Sequence, residues 1–248
     1  IEDEWRSFNG QISQVLISSD ARSAEWISTS YNNQDSPNSF AFTHPAEAQN
    51  GLQWYNNDWK YRKKITIDST KVDANLTNYP LSISLTDGNI VNKAQADGDD
   101  LVFTDSTGQT KLSHEIEEYS EDTGEVVAHI KIPSLPADSD TDIYLYYGNP
   151  SIANQQNPTD VWSNGYAGVW HMNQDPSTSQ ILDSTSNANH GTANGTMTSD
   201  DLVDGKLGGA IDFDGVDDYV EVPSDNSFRL GDTGQPMTAS VWVDRYAG

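Results

Sequence analysis

The sequence predicts an all-β protein of antiparallel β-sandwiches, jelly-roll in type, with one short helix near the N-terminus. Three observations carry this. Short segments such as "WKYRKKITID", "YPLSISLT" and "TASVWV" alternate apolar with polar residues, the period of strands that bury one face. Between them, "DSTGQT" and "SEDTGE" place Gly where a hairpin needs a left-handed residue. Helical period is nearly absent outside one stretch close to the start.

Along the chain, residues 1–34 hold a strand, "GQISQVLIS", with Ile12, Val15 and Ile17 apolar. A short helix follows, capped by Asp20 or Ser23, carrying Ala24, Trp26 and Ile27 and ending at Asn32 and Asn33. Residues 35–58 lack a period and are marked by Pro37, Pro45 and Gly51, which reads as a linker. Residues 59–150 are a run of strands: after "WKYRKKITID" and "YPLSISLT" come "DLVFTD", "TKLSHEIEEY", "EVVAHIKIP" and "DIYLYYGNP". Such a run predicts a sandwich of its own. Residues 151–160 are a second connector. Residues 161–248 open another sandwich with "YAGVWHMN", a long polar loop, "AIDFDGVDDYVEV" and the terminal "MTASVWV".

Composition narrows the partners. A net charge of −25 and a pI near 4.1 exclude a nucleic-acid backbone, which asks for a basic face. Such charge suits a medium rich in salt or divalent cations, or simply a well-solvated surface. The chain has no cysteine, so disulfides and thiolate metal sites are ruled out. No apolar run approaches the ~20 residues of a membrane span. The start at Ile1, with neither Met nor a leader-like segment, is expected of a piece of something longer. Abundant Asn, Ser, Thr, Asp and Gly suggest an extracellular or cell-surface setting.

Hard-cation chemistry is the best candidate among the motifs. In "DSTSNANHG", Asp183, Thr185, Asn187 and Asn189 place oxygen-bearing side chains at alternate positions, which a curled loop could aim at calcium. The loop departs from an EF-hand, with Ala188 at the turn Gly and Asn194 where the bidentate Glu belongs. "DFDGVDDYVEV" adds Asp214, Asp217 and Asp218 around a glycine turn. Equally, these are turn residues bonding local amides. Asp97, Asp99 and Asp100 form a further acidic cluster, read as a solvated turn. For catalysis, Glu115 and Glu117 come nearest to a glycosidase pair, yet no Asp lies between them and both are expected to face solvent. His114 lacks the second His of a zinc helix. The chain is therefore expected not to be an enzyme. Trp54, Tyr55, Trp59, Trp5 and Tyr246 are candidate sugar-stacking aromatics, whereas Trp170, Trp242, Tyr144 and Tyr146 alternate within strands and read largely as core.

Two family resemblances rest on longer stretches. "WKYRKKITID…LTNYPLSISLTDGN…AQADGDDLVFTDSTGQTKLSHEIEEYS…IYLYYGNP" is similar to domain of unknown function 2341, an extracellular β-sandwich family, here over 59–150. "VWHMNQDPS…ILDSTSNANHGTANG…GKLGGAIDFDGVDDYVEVP…MTASVWV" resembles the first part of a laminin-G-like (concanavalin A-like) jelly roll, over 161–248. "FNGQISQVLISSDARSAEWISTSYNNQ" resembles the last strand and tail helix of the same fold, over 1–34. The resemblance implies calcium near the loops named above and a middle run of strands that neither end supplies. It also implies that "TASVWV" pairs with "GQISQVLIS". Pairing between chains is the favoured version, with 35–58 spanning the units and Ile12, Val15, Ile17, Val241 and Val243 buried across the junction.

The expectation is thus a non-catalytic repeat of an extracellular structural or adhesive protein, able to assemble head to tail into a filament or sheath. Its partners would be identical subunits or adjacent repeats, with polysaccharide as a further candidate. The alternatives are a carbohydrate-binding module of a glycan-degrading enzyme and a periplasmic sensor domain of a channel complex.

Overall fold

The structure, a computed structural model, describes residues 8–49, 54–178, 180–223, 227 and 236–246. The fold is all-β, in antiparallel sheets with few helices. It comprises two compact units. One is continuous, Ser23–Asn164; the other joins the two ends of the chain, Ile1–Arg22 with Gly165–Gly248. The first strand, β1 (Asn9–Ser18), belongs to the latter.

The continuous unit opens with α1 (Ala24–Asp35), whose first turn is capped by Ser23: its hydroxyl accepts from the Trp26 N–H at 3.2 Å. Trp26 packs edge-on against Tyr79, and buried Asn33 donates to the Ser82 carbonyl at 2.7 Å and accepts from its N–H at 2.8 Å. The helix expected as the tail of a jelly roll is thereby fastened to this unit, and Ile27 on its far side is exposed. α2 (Pro37–Phe40) and β2 (Ala41–Ala48) follow. The stretch 35–58, expected to be a linker, therefore supplies a strand. Its lack of period has a physical reason: β2 is an edge strand, with only Ala41 buried. Pro45 sits within a register shift between Thr43 and Ala46, the kind of place where a strand tolerates proline.

The remaining strands are β3 (Tyr61–Ile67), β4 (Leu76–Thr86), β5 (Val102–Thr104), β6 (His114–Ser120), β7 (Glu125–Leu135) and β8 (Thr141–Tyr147), ahead of the one-turn α3 (Pro158–Val161). They form two sheets, β2-β3-β8-β5 and β4-β7-β6. Alternation sends Ile65, Ile67, Ile143, Leu145 and Phe103 inward from one sheet, to meet Leu81, Ile83, Val126, Ala128 and Ile130 from the other. Lys63 falls on the inward side of β3 and is buried, where it pairs with Asp87. The β6–β7 hairpin turns at Gly124, φ +70°, where any side chain would strike the Asp87 carbonyl.

The unit made of both ends continues with β9 (Tyr166–Trp170), β10 (Gln180–Ile181), β11 (Gly191–Asn194), β12 (Leu202–Asp204), β13 (Gly209–Asp214), β14 (Tyr219–Glu221) and β15 (Thr238–Arg245). One sheet runs β12-β13-β1-β15, with β9 also on β1; the other is β10-β11-β14. β1 is central. β15 lies along one edge from Gly10 to Ser18, while the other edge is shared by β13 over Asn9–Ile12 and β9 over Val15–Ser18. The changeover falls at Gln14, φ +22°, where the register shifts. Trp170, Met172, Ile181, Ile211 and Phe213 form the core, with Ile12, Val15 and Ile17 partly buried against it.

"TASVWV" thus pairs with "GQISQVLIS" inside one chain, which corrects the expectation of pairing between chains. Burial across the junction is also less than expected. Val241 and Val243 are 48% and 54% exposed.

Candidate functional site

Asp183, Asn187 and Asn189 sit in the loop between β10 and β11. Rather than converge on an open position, their polar atoms tie the loop to β9. Asp183 Oδ1 accepts from the N–H groups of Val169 and Thr185, both at 2.9 Å. Its Oδ2 accepts from the Thr185 hydroxyl and the Asn189 N–H, also at 2.9 Å. The Asn187 amide donates to the Ala167 carbonyl at 3.0 Å, and the Asn189 carbonyl accepts from Trp170 Nε1 at 2.9 Å. The Asp183 N–H donates to His190 Nδ1. A carboxylate with four protein donors is satisfied, and a cation here would have to displace them.

Asp214, Asp217 and Asp218 form a different arrangement. Each offers a carboxylate oxygen, and these atoms lie within 4.8 Å of one another at the surface. Gly215, φ +77°, makes the turn. Asp214 Oδ1 accepts from the Val216 N–H at 2.7 Å and from the Asp217 N–H at 3.3 Å; the Val216 bond leads in holding this carboxyl below the usual carboxylate range. Asp218 accepts from the Thr196 and Asp214 N–H groups, both at 3.1 Å, and Asp217 accepts from the Thr196 hydroxyl at 3.2 Å. Three hard oxygens at one exposed turn are suited to a divalent cation. Thr196 completes the turn, and its sequence position gives no sign of this.

Elsewhere, two expectations are corrected. Asp100 is fully buried, not a solvated turn residue. It accepts from the N–H groups of Gln95 (2.8 Å), Gly148 (2.6 Å) and Asn149 (2.8 Å), and burial still pushes its carboxyl up. Glu115 and Glu117 likewise do not face solvent. Trp162 Nε1 donates to Glu115 Oε2 at 2.6 Å, and Glu117 Oε2 lies 2.6 Å from His129 Nε2. A register shift between Ile116 and Glu118 takes Glu117 out of the alternation, as bulges re-aim a side chain. His129 Nδ1 lies 3.0 Å from Ser82 Oγ. Serine, imidazole and carboxylate are in line, but Ser82 is 1% exposed and its backbone is held by Asn33.

The aromatics divide similarly. Trp54 and Trp59 are buried around Tyr146, and the Arg62 guanidinium lies over the rings of Trp54 (4.6 Å) and Tyr144 (4.4 Å). Trp170 is core, whereas Trp242 and Tyr246 keep part of their surface open. Trp5 lies outside the described residues.

The family described as "Domain of unknown function (DUF2341)" matches residues 97–195. That stretch contains Asp100, the Glu115–Glu117 strand and the Asp183 knot. No curated protein and no solved structure matches the chain. No helix among the described residues is long and apolar enough to cross a membrane.

Proposed function

We propose that this chain is a non-catalytic unit of an extracellular structural or adhesive protein, which associates with neighbouring copies and carries calcium at the Asp214–Asp218 turn. The observation behind this reading is the state of β15. It ends its sheet among the described strands, with Val241 and Val243 about half exposed opposite Val15 and Ile12. An open edge bearing apolar side chains is a pairing surface.

A second copy fits it. Antiparallel pairing of two β15 strands about Val241 sets Ala239 against Val243, Asp244 against Thr238 and Arg245 against Met237, so no like charges meet. The net charge of −25 opposes close approach, so association should strengthen with salt. β1 and β15 are adjacent strands of a two-sheet unit, which supports reading that unit as a laminin-G-like jelly roll. Engagement of Glu115 by Trp162 and of Glu117 by His129 supports a non-catalytic role.

Sedimentation equilibrium at high salt tests the association. The mass of the wild type should rise with concentration toward a dimer, while Val241→Lys stays monomeric. A wild type that remains monomeric across the range, or a variant that dimerises equally, overturns the reading.

A further inference from the structure

Strand parity gives β15 a second face. Val241 and Val243 point to one side of the sheet, and Trp242 and Asp244 to the other. On β1, Ser13 is opposite Trp242 and Gln11 is opposite Asp244, so the pairing gathers these four on one side. The turn between β12 and β13 folds over the same area. It is closed by Gly205 N–H donating to the Gly208 carbonyl at 2.8 Å. Gly205 lets the backbone lie close, for a Cβ there would stand 2.8 Å from Ser13 Oγ. Ser13 Oγ in turn donates to the Gly209 carbonyl at 3.2 Å. Lys206, on this turn, reaches across until its Nζ is 5.2 Å from the centroid of the Trp242 ring.

The result is a groove of about 240 Å³, lined by Gln11, Ser13, Asp204, Lys206, Trp242 and Asp244. We infer that this groove binds a neutral saccharide, one sugar ring of a glycan chain stacked on Trp242. Size, charge and donor set each narrow the ligand. The volume is below the roughly 300–1,000 Å³ of sites for drug-sized molecules, which suits a single ring. Two carboxylates against one ammonium disfavour anions, and so exclude phosphates and acidic sugars. A cationic ligand drawn to the indole would meet the like charge of the Lys206 ammonium, which lies over that ring.

A polyol meets none of these objections. Its apolar face covers the open part of an indole ring, while its hydroxyls can donate to Asp204 and Asp244 and accept from Lys206 in charge-assisted hydrogen bonds. Tyr246 stands beside the groove, held by the Gln11 amide donating to its hydroxyl at 2.9 Å and by its own bond to Asp212 at 3.1 Å. It offers a second aromatic surface, 39% exposed, where a chain could continue. The inference does not rest on the proposed association, which runs along the outer edge of β15, whereas the groove lies over β1 and β15 on the side of Trp242.

The test is a titration with neutral oligosaccharides of glucose, galactose, mannose and N-acetylglucosamine at millimolar concentration, followed by the indole N–H resonances in two-dimensional NMR. It is run on the wild type and on Val241→Lys, so that sugar binding and association read separately. At least one oligosaccharide should shift a resonance that Trp242→Phe removes. Trp242→Ala should weaken binding by about tenfold or more, and so should Asp204→Asn, which lies outside β15 and leaves that strand intact. Tetramethylammonium is the cationic control and should not shift that resonance. The inference is overturned if no oligosaccharide binds, if binding survives both Trp242→Ala and Asp204→Asn, or if tetramethylammonium alone moves the resonance.

Discussion

Val15 stands opposite Val241, so the strand that begins the described chain and the strand that ends it are neighbours in one sheet. This pairing makes β1 central: without β15, its edge from Gly10 to Ser18 would be open. The same register sends the valines to one face and Trp242 to the other. One strand therefore serves both surfaces proposed above, and whatever loosens the β1–β15 contact should disturb both.

Gly10 offers a direct way to loosen it. Its φ is +143°, and a side chain there would fall on the Asp244 carbonyl oxygen of β15. Gly10→Ala should cost about 1–3 kcal/mol, through strain at a backbone position that L-residues rarely adopt. Gly88 is the control, since a Cβ there meets nothing within 4 Å; Gly88→Ala should stay within about 0.5 kcal/mol. Urea unfolding of the two variants makes the comparison, and equal midpoints would show that the end of β15 is not held as described.

Asp100 ties residues 95–100 to Gly148 and Asn149 through three N–H donors. Asp100→Asn keeps the shape but turns an NH₂ toward groups that are themselves donors. Leaving them unsatisfied in a buried place should destabilise the chain by about 1–3 kcal/mol. A loss below about 0.5 kcal/mol in urea unfolding would mean that these bonds do not form.

His114 sets a pH dependence. Burial drives its pKa down from the usual 6.5 to about 4, against the opposing hydrogen bond to the Leu112 carbonyl. The folded form thus resists a proton that the unfolded form takes up. Its contribution is fully present above pH 6.5 and is lost progressively between about pH 6.5 and pH 4, amounting to of order 3 kcal/mol. His114→Phe, which keeps an aromatic ring beside Phe103, should lose less stability over that interval. Parallel pH profiles of the two proteins would refute the assignment.

The sandwiches were legible because alternation records burial directly. Ile65, Ile67, Ile143 and Leu145 face inward where the period places them, and Ser23 caps the helix by a local rule. β2 escaped because an edge strand with a proline and one buried residue carries no period. Glu117 escaped because a one-residue bulge reverses facing, and nothing in "HEIEEY" announces a bulge. The Asp183 loop shows a further limit. Alternate oxygen-bearing residues can converge on a cation or on backbone N–H groups, and only the path of β9 past the loop supplies those donors. Lys206 is 36 residues from Trp242 in sequence, so their meeting depends on sheet order alone.

The two groups of calcium candidates should separate on titration. Asp214, Asp217 and Asp218 keep carboxylate oxygens within 4.8 Å of one another at an exposed turn, where mutual repulsion favours a cation. A ligand held by the folded state alone, at a hundred times its dissociation constant, stabilises by about 2.7 kcal/mol. The melting midpoint should therefore rise with calcium and fall with chelator, and Asp217→Asn or Asp218→Asn should shrink that response. Asp183→Asn should behave differently, because its carboxylate holds four protein donors. It should lower the midpoint by a similar amount with or without calcium and leave the calcium response in place. A calcium response abolished by Asp183→Asn and untouched at Asp217 and Asp218 would move the ion to the other loop. A midpoint indifferent to calcium throughout would remove the ion altogether.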